Sequence, residues 1–357
     1  MKKSITLFVA LCLFFSALSM TACEQTELGV HKELEKFSAY SFDYFDTVTT
    51  ISGYAESKEA FDAVANDALA QLGEYHRLFT IYHRFEGLEN LCTINELVDG
   101  QHRTVSVDAR IVDMLLYAKE MHALTDGHVN IAMGSVLSIW HEYRTIGMDD
   151  PVSAELPPME KLQEAAKHTD IDHLVIDEQN CTVTITDPQM KLDVGAVAKG
   201  YAVEMIAQAL EAQGVTGYVL NVGGNVRTIG TKADGNPWTV GLENPLDEGE
   251  DYICYLGLAG QTLVTSGSYQ RYYFVNGKQY HHIIHQDTLM PAEGFVSVSV
   301  LTKHSGMADA LSTALFCMTL EQGRALAQSL PDTEVLWVLP DGTRHSTDGW
   351  SAYMIDP

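Results

Sequence analysis

Residues 191–230 read KLDVGAVAKGYAVEMIAQALEAQGVTGYVLNVGGNVRTIG, and this stretch best defines the fold. Residues 189–194 alternate between polar and apolar as in an extended segment, and Gly195 and Gly200 permit tight backbone. Apolar residues then recur at helical spacing on one face, and the chain returns as a buried strand over residues 217–222. The pattern predicts a strand, a helix and a second strand.

The start of this helix is a predicted anion site. Amide groups near residues 196–200 lack partners within the helix and would face a bound phosphate, and Lys199 adds a positive charge. Asp193 lies just upstream, where a carboxylate can bind a ribityl or ribose hydroxyl, a base or a metal. Gly223 and Gly224 predict a second close approach of backbone to a ligand. Taken alone, the unit is equally compatible with a structural turn.

Residues 1–22 have the features of a bacterial lipoprotein signal peptide: a basic start, an apolar centre and small residues before Cys23. The pattern predicts cleavage before Cys23 and a lipid on its thiol, with an ordinary secretory signal as the alternative. Residues 23–40 would then be the lipidated cysteine and a polar tether, and residues 41–357 the folded domain. We expect that domain to be anchored to a bacterial cell membrane and to face outside the cytoplasm, on the periplasmic or extracellular side.

The composition is strongly acidic, with 22 Lys and Arg against 48 Asp and Glu and a formal net charge of −26. Such a surface repels nucleic acid, so no nucleic-acid partner is expected. An anionic ligand would need a bound metal or a few placed Lys and Arg residues. The cysteines after Cys23 form no C-x-x-C pair, so zinc ligation by thiolates is not supported, and Cys317 is predicted to be a buried thiol.

Periodicity predicts the other elements, which together favour an α+β class with one domain of two interlocked lobes. The predicted elements are a first strand over 44–54, helices over 59–79 and 107–124 with Ser106 as a cap, a polar connection over 142–161, and helices near 197–213 and 307–329.

Residues 272–284 predict a hairpin, because the Asn-Gly pair at 276 supplies the positive φ angles of a tight turn. In a strand, His281 and His282 face opposite sides, so one is expected to be functional and the other structural. A histidine there suits a general base near neutral pH. A metal site made with His285 is disfavoured, because no pair of histidines at helical i,i+4 spacing accompanies it.

Asp309 and Thr313 stand four residues apart in a predicted helix, so their oxygens project from one face. Such a pair can hold a hard cation such as magnesium, which keeps open positions for phosphate oxygens. The structural alternative is that Asp309 favours the helix start and Thr313 packs.

Together these motifs resemble the ApbE family of FAD:protein FMN transferases. The family has D-x-G-x-x-A-K-G-Y, G-G, S-G-x-Y-x-R, H-H-I-I and D-A-L-[AS]-T-A in that order, and this chain has Asp193–Tyr201, Gly223-Gly224, Ser266–Arg271, His281–Ile284 and Asp309–Ala314. Gly127–Gly134 looks like the family's G-x-x-D-I-T-V-G segment, and Tyr82 falls at its early-loop tyrosine. The resemblance therefore covers essentially the whole chain after Cys23.

The resemblance implies a single ApbE-type, T-fold-like α+β domain with mixed or antiparallel sheets. It also implies a magnesium-dependent transfer of FMN from FAD to a threonine hydroxyl of an acceptor protein through a phosphoester bond, with release of AMP. The acceptor would be an electron-transport or respiratory subunit. The alternatives are a magnesium-dependent FAD pyrophosphatase that yields FMN and AMP, and a flavin-binding lipoprotein without catalysis.

Site residues follow from the matched positions of the family. The side chains of Asp309 and Thr313 and the carbonyl of Ala196 would hold the metal. Lys199 would lie near the phosphates or the flavin, and His282 would accept the threonine proton, with His281 as the alternative. The remaining FAD contacts implied are Tyr82, His128, Val129, Asn130, Asp193 and the backbone of Ile283.

Several positions differ from the family pattern. His285 replaces an aspartate and Leu289 replaces a glycine after the hairpin, so the loop shape and the proton path there are expected to differ. Asn130 replaces an aspartate but keeps an oxygen acceptor. The segment at 45–47 reads Phe-Asp-Thr instead of Met-Gly-Thr, on the adenine side of the expected site.

Overall fold

The computed structural model describes residues 33–97, 104–246, 249 and 251–356. The predicted signal peptide and Cys23 lie outside the described residues. Residues 34–357 form one compact unit. Among the described helices, none combines the length and the apolar character needed to cross a membrane.

The α-helices of the described residues lie mainly between the first strands and the last ones. They are α1 (Lys58–Phe79), α2 (Leu91–Leu97), α3 (Ala109–Leu124), α4 (Gly134–Asp149), α5 (Met159–Ala165), α6 (Ala198–Ala212), α7 (Ser305–Cys317) and α8 (Leu320–Ser329). Short 3-10 helices span Ala166–His168, Ile171–His173 and Trp350–Tyr353.

The strands are short and concentrate in the second half of the chain. They are β1 (Glu35–Ser41), β2 (Thr49–Ala55), β3 (Thr104–Ser106), β4 (Leu174–Asp177), β5 (Thr182–Ile185), β6 (Tyr218–Val222), β7 (Asn225–Ile229), β8 (Trp238–Glu243), β9 (Tyr252–Leu258), β10 (Thr262–Gly267), β11 (Tyr272–Val275), β12 (Lys278–His281), β13 (Ser297–Thr302), β14 (Glu334–Val338), β15 (Arg344–Ser346) and β16 (Met354–Ile355).

A sheet of eight strands organises the fold, in the order β1-β2-β6-β7-β10-β13-β14-β15, and its neighbouring strands pair antiparallel. Helices α1, α6 and α7 pack side by side on one face. A three-stranded sheet, β8-β9-β16, contributes Leu242, Leu256 and Leu258 to a second core that includes Leu263 and Leu301 of the large sheet. Central strands β7 and β13 are buried at every residue, as expected for strands covered on both faces.

The first strand differs from the prediction. Residues 44–48 are not in a strand, because Phe45 and Asp46 have φ angles of 54° and 51°, in the left-handed region. Conversely, residues 35–40, predicted to belong to the tether, form β1 and pair with β2. The sequence signal for β1 is weak because β1 is an edge strand whose side chains are mostly exposed.

Two helix boundaries were also wrong. Helix α3 is capped by Asp108, whose Oδ1 accepts from the Arg110 amide at 2.9 Å, while Ser106 belongs to β3. Residues 142–149, predicted as part of a polar connection, are the second half of α4. The predictions of α1 and α6 are confirmed within one or two residues, and the predicted helix over 307–329 is two helices, α7 and α8.

The predicted hairpin is confirmed as β11 and β12, with φ angles of 51° at Asn276 and 80° at Gly277. Strand β12 ends at His281, three residues before the predicted end. The hairpin packs on α4 through a separate apolar cluster that includes Trp140, Tyr273 and Val275. It is therefore anchored to the residues that follow the Gly127–Gly134 segment. Cys317 is buried, as predicted.

Candidate functional site

The start of α6 and the middle of α7 meet at Asp309. One carboxylate oxygen of Asp309, Oδ2, accepts from the Gly200 amide at 2.7 Å, and the other, Oδ1, accepts from Lys199 Nζ at 2.9 Å. Asp309 is only 6% exposed, whereas Lys199 is half-buried. A Cβ at Gly200 would lie 2.4 Å from Asp309 Cβ and 2.6 Å from the Ser305 carbonyl oxygen. The helices approach this closely because residue 200 is glycine.

Oxygen atoms surround this junction. Thr313 lies one turn after Asp309 on α7, and its Oγ1 is 3.5 Å from the Asp309 carbonyl oxygen and 3.5 Å from Ser266 Oγ on β10. Ala196 lies two residues before the start of α6 at Ala198, and the first ladder bond of α6 runs from Tyr201 N to Val197 O. The Gly200 amide donates to Asp309 and not to a carbonyl of the helix. The Ala196 carbonyl lies before the first hydrogen bond within the helix. Within the described part of the chain, no group of three or more His, Cys, Asp or Glu is placed to hold a metal. A site here would rest on carboxylate, hydroxyl and carbonyl oxygens, the ligands that magnesium prefers.

Asp193 links this junction to the Gly127–Gly134 segment. Its amide donates to the Ile131 carbonyl at 2.8 Å, and its Oδ1 accepts from the Gly195 amide at 2.9 Å. Burial raises the pKa of Asp193, against the bond from Gly195 and the charges of His141, Arg144 and Arg271.

Two residues of the 127–134 segment that were predicted to contact FAD, Asn130 and Val129, are bonded or buried within the protein. Asn130 Nδ2 donates to the Thr169 carbonyl at 2.8 Å, and its Oδ1 accepts from the Ala132 amide at 2.9 Å. Val129 is 1% exposed, and its amide donates to Thr125 Oγ1 at 3.1 Å while its carbonyl accepts from His122 Nδ1 at 3.0 Å. His128 is different, because its buried Nδ1 has no hydrogen-bond partner. The structure therefore leaves His128 as the side chain of this segment with polar capacity to spare.

The two hairpin histidines have distinct surroundings. His281 Nε2 donates to the Ala292 carbonyl at 2.9 Å while its Nδ1 accepts from the Ile283 amide at 3.2 Å, so both ring nitrogens are used. The Nδ1 of His282 is buried without a partner. Burial, together with the charges of Arg271 and Arg144, lowers the pKa of His282 to about 3. Both ring nitrogens of His281 are therefore used within the protein, whereas His282 keeps one buried nitrogen without a partner among the described residues.

Comparisons with known proteins agree with this geometry. The model of the ApbE family matches residues 45–337. The chain belongs to the ApbE family. It is 30% identical over 271 residues to the FAD:protein FMN transferase of Klebsiella pneumoniae (strain 342), which covers 73% of this chain and 81% of the relative. It is 26% identical over 334 residues to that of Haemophilus influenzae, covering 92% of this chain and 91% of the relative.

Solved structures of the ApbE family share the fold. The crystal structure of the ApbE protein from Thermotoga maritima matches with a TM-score of 0.76 and 27% identity, covering 90% of this chain and 100% of that one. The flavin transferase ApbE from Vibrio cholerae matches with a TM-score of 0.73 at 22% identity, over 90% of this chain and 100% of that one. The predicted single α+β domain of ApbE type is therefore confirmed.

Leu289, one of the positions that depart from the ApbE pattern, has a buried side chain. Leu289, where the family has glycine, has a φ angle of 57°, which favours glycine. Its side chain is 6% exposed within the hairpin cluster, and its carbonyl accepts from Trp140 Nε1 at 2.9 Å. His285, in place of the ApbE aspartate, lies edge-on to His128 with ring centroids 5.9 Å apart. The substituted loop thus places an imidazole against the 127–134 segment.

The Phe45-Asp46-Thr47 segment packs against Gly223 and explains why that residue is glycine. A Cβ at Gly223 would lie 2.2 Å from Thr47 Oγ1, so Gly223 is needed for packing against this loop. A Cβ at Gly224 would meet nothing within 4 Å, so only that glycine has space beside it. The backbone approach to a ligand stays a prediction, and the open space for it lies at Gly224.

Two polar side chains near Tyr82, His141 and Arg144, were missed by the sequence reasoning. Tyr82 is 50% exposed and packs on His141, with ring centroids 5.4 Å apart. His141 Nδ1 accepts from Arg144 Nη2 at 2.9 Å, and the charges of Arg144 and Arg271 both act on Asp193 and His282. His141 and Arg144 stand three residues apart, a helical spacing that would have revealed a shared face if residues 142–149 had been assigned to a helix.

Proposed function

We propose that this chain is a flavin transferase that moves FMN from FAD to a threonine hydroxyl of an acceptor protein and releases AMP. The observation that carries the proposal is the junction at Asp309, where two ApbE motifs far apart in sequence share hydrogen bonds. His282, which follows the hairpin, and the Asp193 carboxylate are the other proposed participants, and the charges of Arg144 and Arg271 act on both.

The residues at this junction fit magnesium. Asp309 supplies a carboxylate whose present counterion is the Lys199 ammonium, so the position already accommodates a positive charge. Asp309, Thr313 and the Ala196 carbonyl would hold the ion through hard oxygen ligands. When bound, magnesium would neutralise the charge of the pyrophosphate and the negative charge that develops on the departing phosphate.

Lys199 and His282 have separate roles in the proposed reaction. Lys199 Nζ would donate to a phosphate oxygen of FAD, as the ammonium nearest to Asp309. His282 would accept the threonine proton while the threonine oxygen bonds to the FMN phosphorus and the bond to the AMP phosphate breaks. Burial, and then the charges of two arginines, lower the pKa of His282, and a bound pyrophosphate would raise it because a nearby anion favours the charged imidazole.

The test uses residues 24–357 with FAD, magnesium and an acceptor protein bearing a flavinylation threonine. In-gel flavin fluorescence on the acceptor, with equimolar AMP, would support transfer. AMP with free FMN would show an FAD pyrophosphatase instead, and intact FAD would exclude both activities.

The matched variants are Asp309→Ala and Asp332→Ala. Asp309→Ala should abolish AMP release and magnesium-dependent FAD binding, whereas Asp332 pairs with Lys303 in an exposed ion pair and its loss should leave turnover unchanged. Turnover by Asp309→Ala close to that of the unmodified chain would refute the metal assignment.

We also propose that the chain is anchored to the outer side of a bacterial cell membrane by a lipid on Cys23. The support is the signal pattern of residues 1–22 and the polar residues after it. Labelling of cells with radioactive palmitate should mark the full chain, and Cys23→Ala should lose the label and shift the protein to the soluble fraction. An unlabelled full chain would indicate an ordinary secretory signal.

A further inference from the structure

A pair of arginines lines the same side of the site as His282. Arg144 comes from α4, and Arg271 comes from the segment before β11, whose carbonyl accepts from the His282 amide at 3.0 Å. Their charges act on one another, on Asp193, on Tyr82 and on His282. Helix α4 packs on the hairpin, where a Cβ at Gly147 would lie 2.6 Å from a ring carbon of Tyr273, so Arg144 and Arg271 belong to elements in contact although they are 127 positions apart in the sequence.

Among the described residues neither arginine forms an ion pair, although the charge of Asp193 acts on Arg144. Within residues 33–97, 104–246, 249 and 251–356, no Asp or Glu oxygen lies within the 4.0 Å of an ion pair with Arg144 or Arg271. Arg144 is also half-buried, and burial followed by the charge of Arg271 lowers its pKa. Two like charges kept together in this way are stabilised when an anion binds between them.

The geometry also holds Arg144 in place. His141 Nδ1 accepts from Arg144 Nη2 at 2.9 Å, so His141 must present an unprotonated nitrogen to the guanidinium. Tyr82 packs against the His141 ring and restrains it. One guanidinium nitrogen is thus used within the protein, and the other donors remain for a ligand.

We propose that Arg144, positioned by His141 and set beside Arg271, is a phosphate-binding subsite of this chain that is separate from the Asp309 junction. It takes one phosphoryl group of the nucleotide substrate, because a guanidinium presents a planar fork that matches phosphate oxygens. Arg144 and His141 come from α4 and belong to none of the five motifs that identify the family. The subsite rests on the proposed FAD chemistry and adds a second charge contact to it.

The experiment measures equilibrium binding of FAD, FMN, AMP and riboflavin to residues 24–357, once with EDTA and once with magnesium. Arg144→Met should weaken binding of either FMN or AMP by about 10- to 100-fold, the loss of one charge-assisted hydrogen-bond contact. FAD should weaken with it, and riboflavin, which has no phosphate, should change less than about twofold. Whether FMN or AMP responds identifies which half of FAD the subsite holds. The effect should shrink as salt is raised, because it is electrostatic.

The matched control is Arg324→Met on α8, which removes one arginine charge from the chain outside this cluster and should leave every affinity unchanged. His141→Phe keeps a ring against Tyr82 but removes the acceptor for Arg144, and should weaken the same ligand about fivefold. In the background of Arg144→Met, His141→Phe should add nothing, because His141 acts through Arg144. Thermal melting of each variant checks that it is folded.

The outcomes separate the two proposals. If Arg144→Met is folded and binds FMN and AMP within twofold of the unmodified chain, the subsite is refuted while the flavin transferase proposal stands. An equal loss for riboflavin would also refute it, because the contact would then not be to phosphate. If the unmodified chain binds neither FAD nor FMN under either condition, both proposals fail.

Discussion

Gly200→Ala tests directly the contact between α6 and α7 on which the site depends. The added Cβ would lie 2.4 Å from Asp309 Cβ and 2.6 Å from the Ser305 carbonyl oxygen. Carbon atoms in contact prefer about 3.5–4.0 Å, so the two helices would have to separate by roughly 1 Å. That movement also weakens the bond from the Gly200 amide to Asp309 Oδ2, now 2.7 Å long.

The expected loss of stability follows from three contributions. Overpacking of this kind costs about 1–3 kcal/mol, and loss of a hydrogen bond to a charged carboxylate costs about 1.5–3 kcal/mol. Alanine favours a helix interior over glycine by about 1 kcal/mol, in the opposite direction. The free energy of unfolding should therefore fall by about 2–5 kcal/mol, or about 4–10 °C in Tm at about 2 °C per kcal/mol.

The assay is thermal and urea unfolding of Gly200→Ala beside Gly323→Ala. A Cβ at Gly323, on α8, would meet only side-chain atoms, the nearest at 3.2 Å from Trp337, so this control should change the free energy of unfolding by less than about 1 kcal/mol. FAD turnover by Gly200→Ala should fall about 100-fold, as for a 1 Å displacement of a catalytic group. A Gly200→Ala variant as stable as the unmodified chain would refute the claim that glycine is needed for this approach.

Three further outcomes are expected. His281→Ala should lower the Tm, since both ring nitrogens are bonded within the protein, whereas His282→Ala should abolish transfer with little change in Tm; the opposite pattern would reverse the roles. Because the pKa of His282 is about 3 in the folded chain and about 6.5 when unfolded, stability is full above pH 6.5 and falls as the pH drops towards 3. Between pH 7 and pH 5, the free energy of unfolding measured with urea should therefore fall by about 2 kcal/mol less for His282→Gln than for the unmodified chain. An equal fall in both proteins would contradict the burial of a neutral imidazole. Burial raises the pKa of Cys317 to about 12, so its thiol should resist Ellman's reagent at pH 8 until the chain is unfolded; mass mapping of a modified Cys317 in the native chain would count against this.

Local patterns in the sequence predicted the elements that depend only on neighbouring residues. The spacing of apolar residues predicted α1 and α6, and the Asn-Gly pair predicted the β11 and β12 hairpin, because period and turn geometry depend only on neighbouring residues. The edge strand β1 and the second half of α4 escaped detection. Their exposed faces carry polar residues that resemble a tether or a loop.

The candidate site, like the fold, has parts that short motifs predict and parts that depend on tertiary contacts. The five motifs gave the family and suggested Asp309, Lys199 and the histidines, but the sequence could not separate His281 from His282. Their difference lies in partners at Ala292 and Ile283, and in the burial of one unpaired nitrogen, which depend on how the loop after the hairpin folds back.

By itself, the sequence determined the family, the helix start at residues 196–200 and the set of oxygen ligands expected for a metal, since these are written in short motifs. The tertiary structure decided that Gly200 lets α6 touch α7, that Asn130 is used by the protein, and that the helix carrying Arg144 packs on the hairpin that follows Arg271. Contacts between residues a hundred positions apart follow from the packing of helices on the large sheet, and no local pattern of residues specifies them.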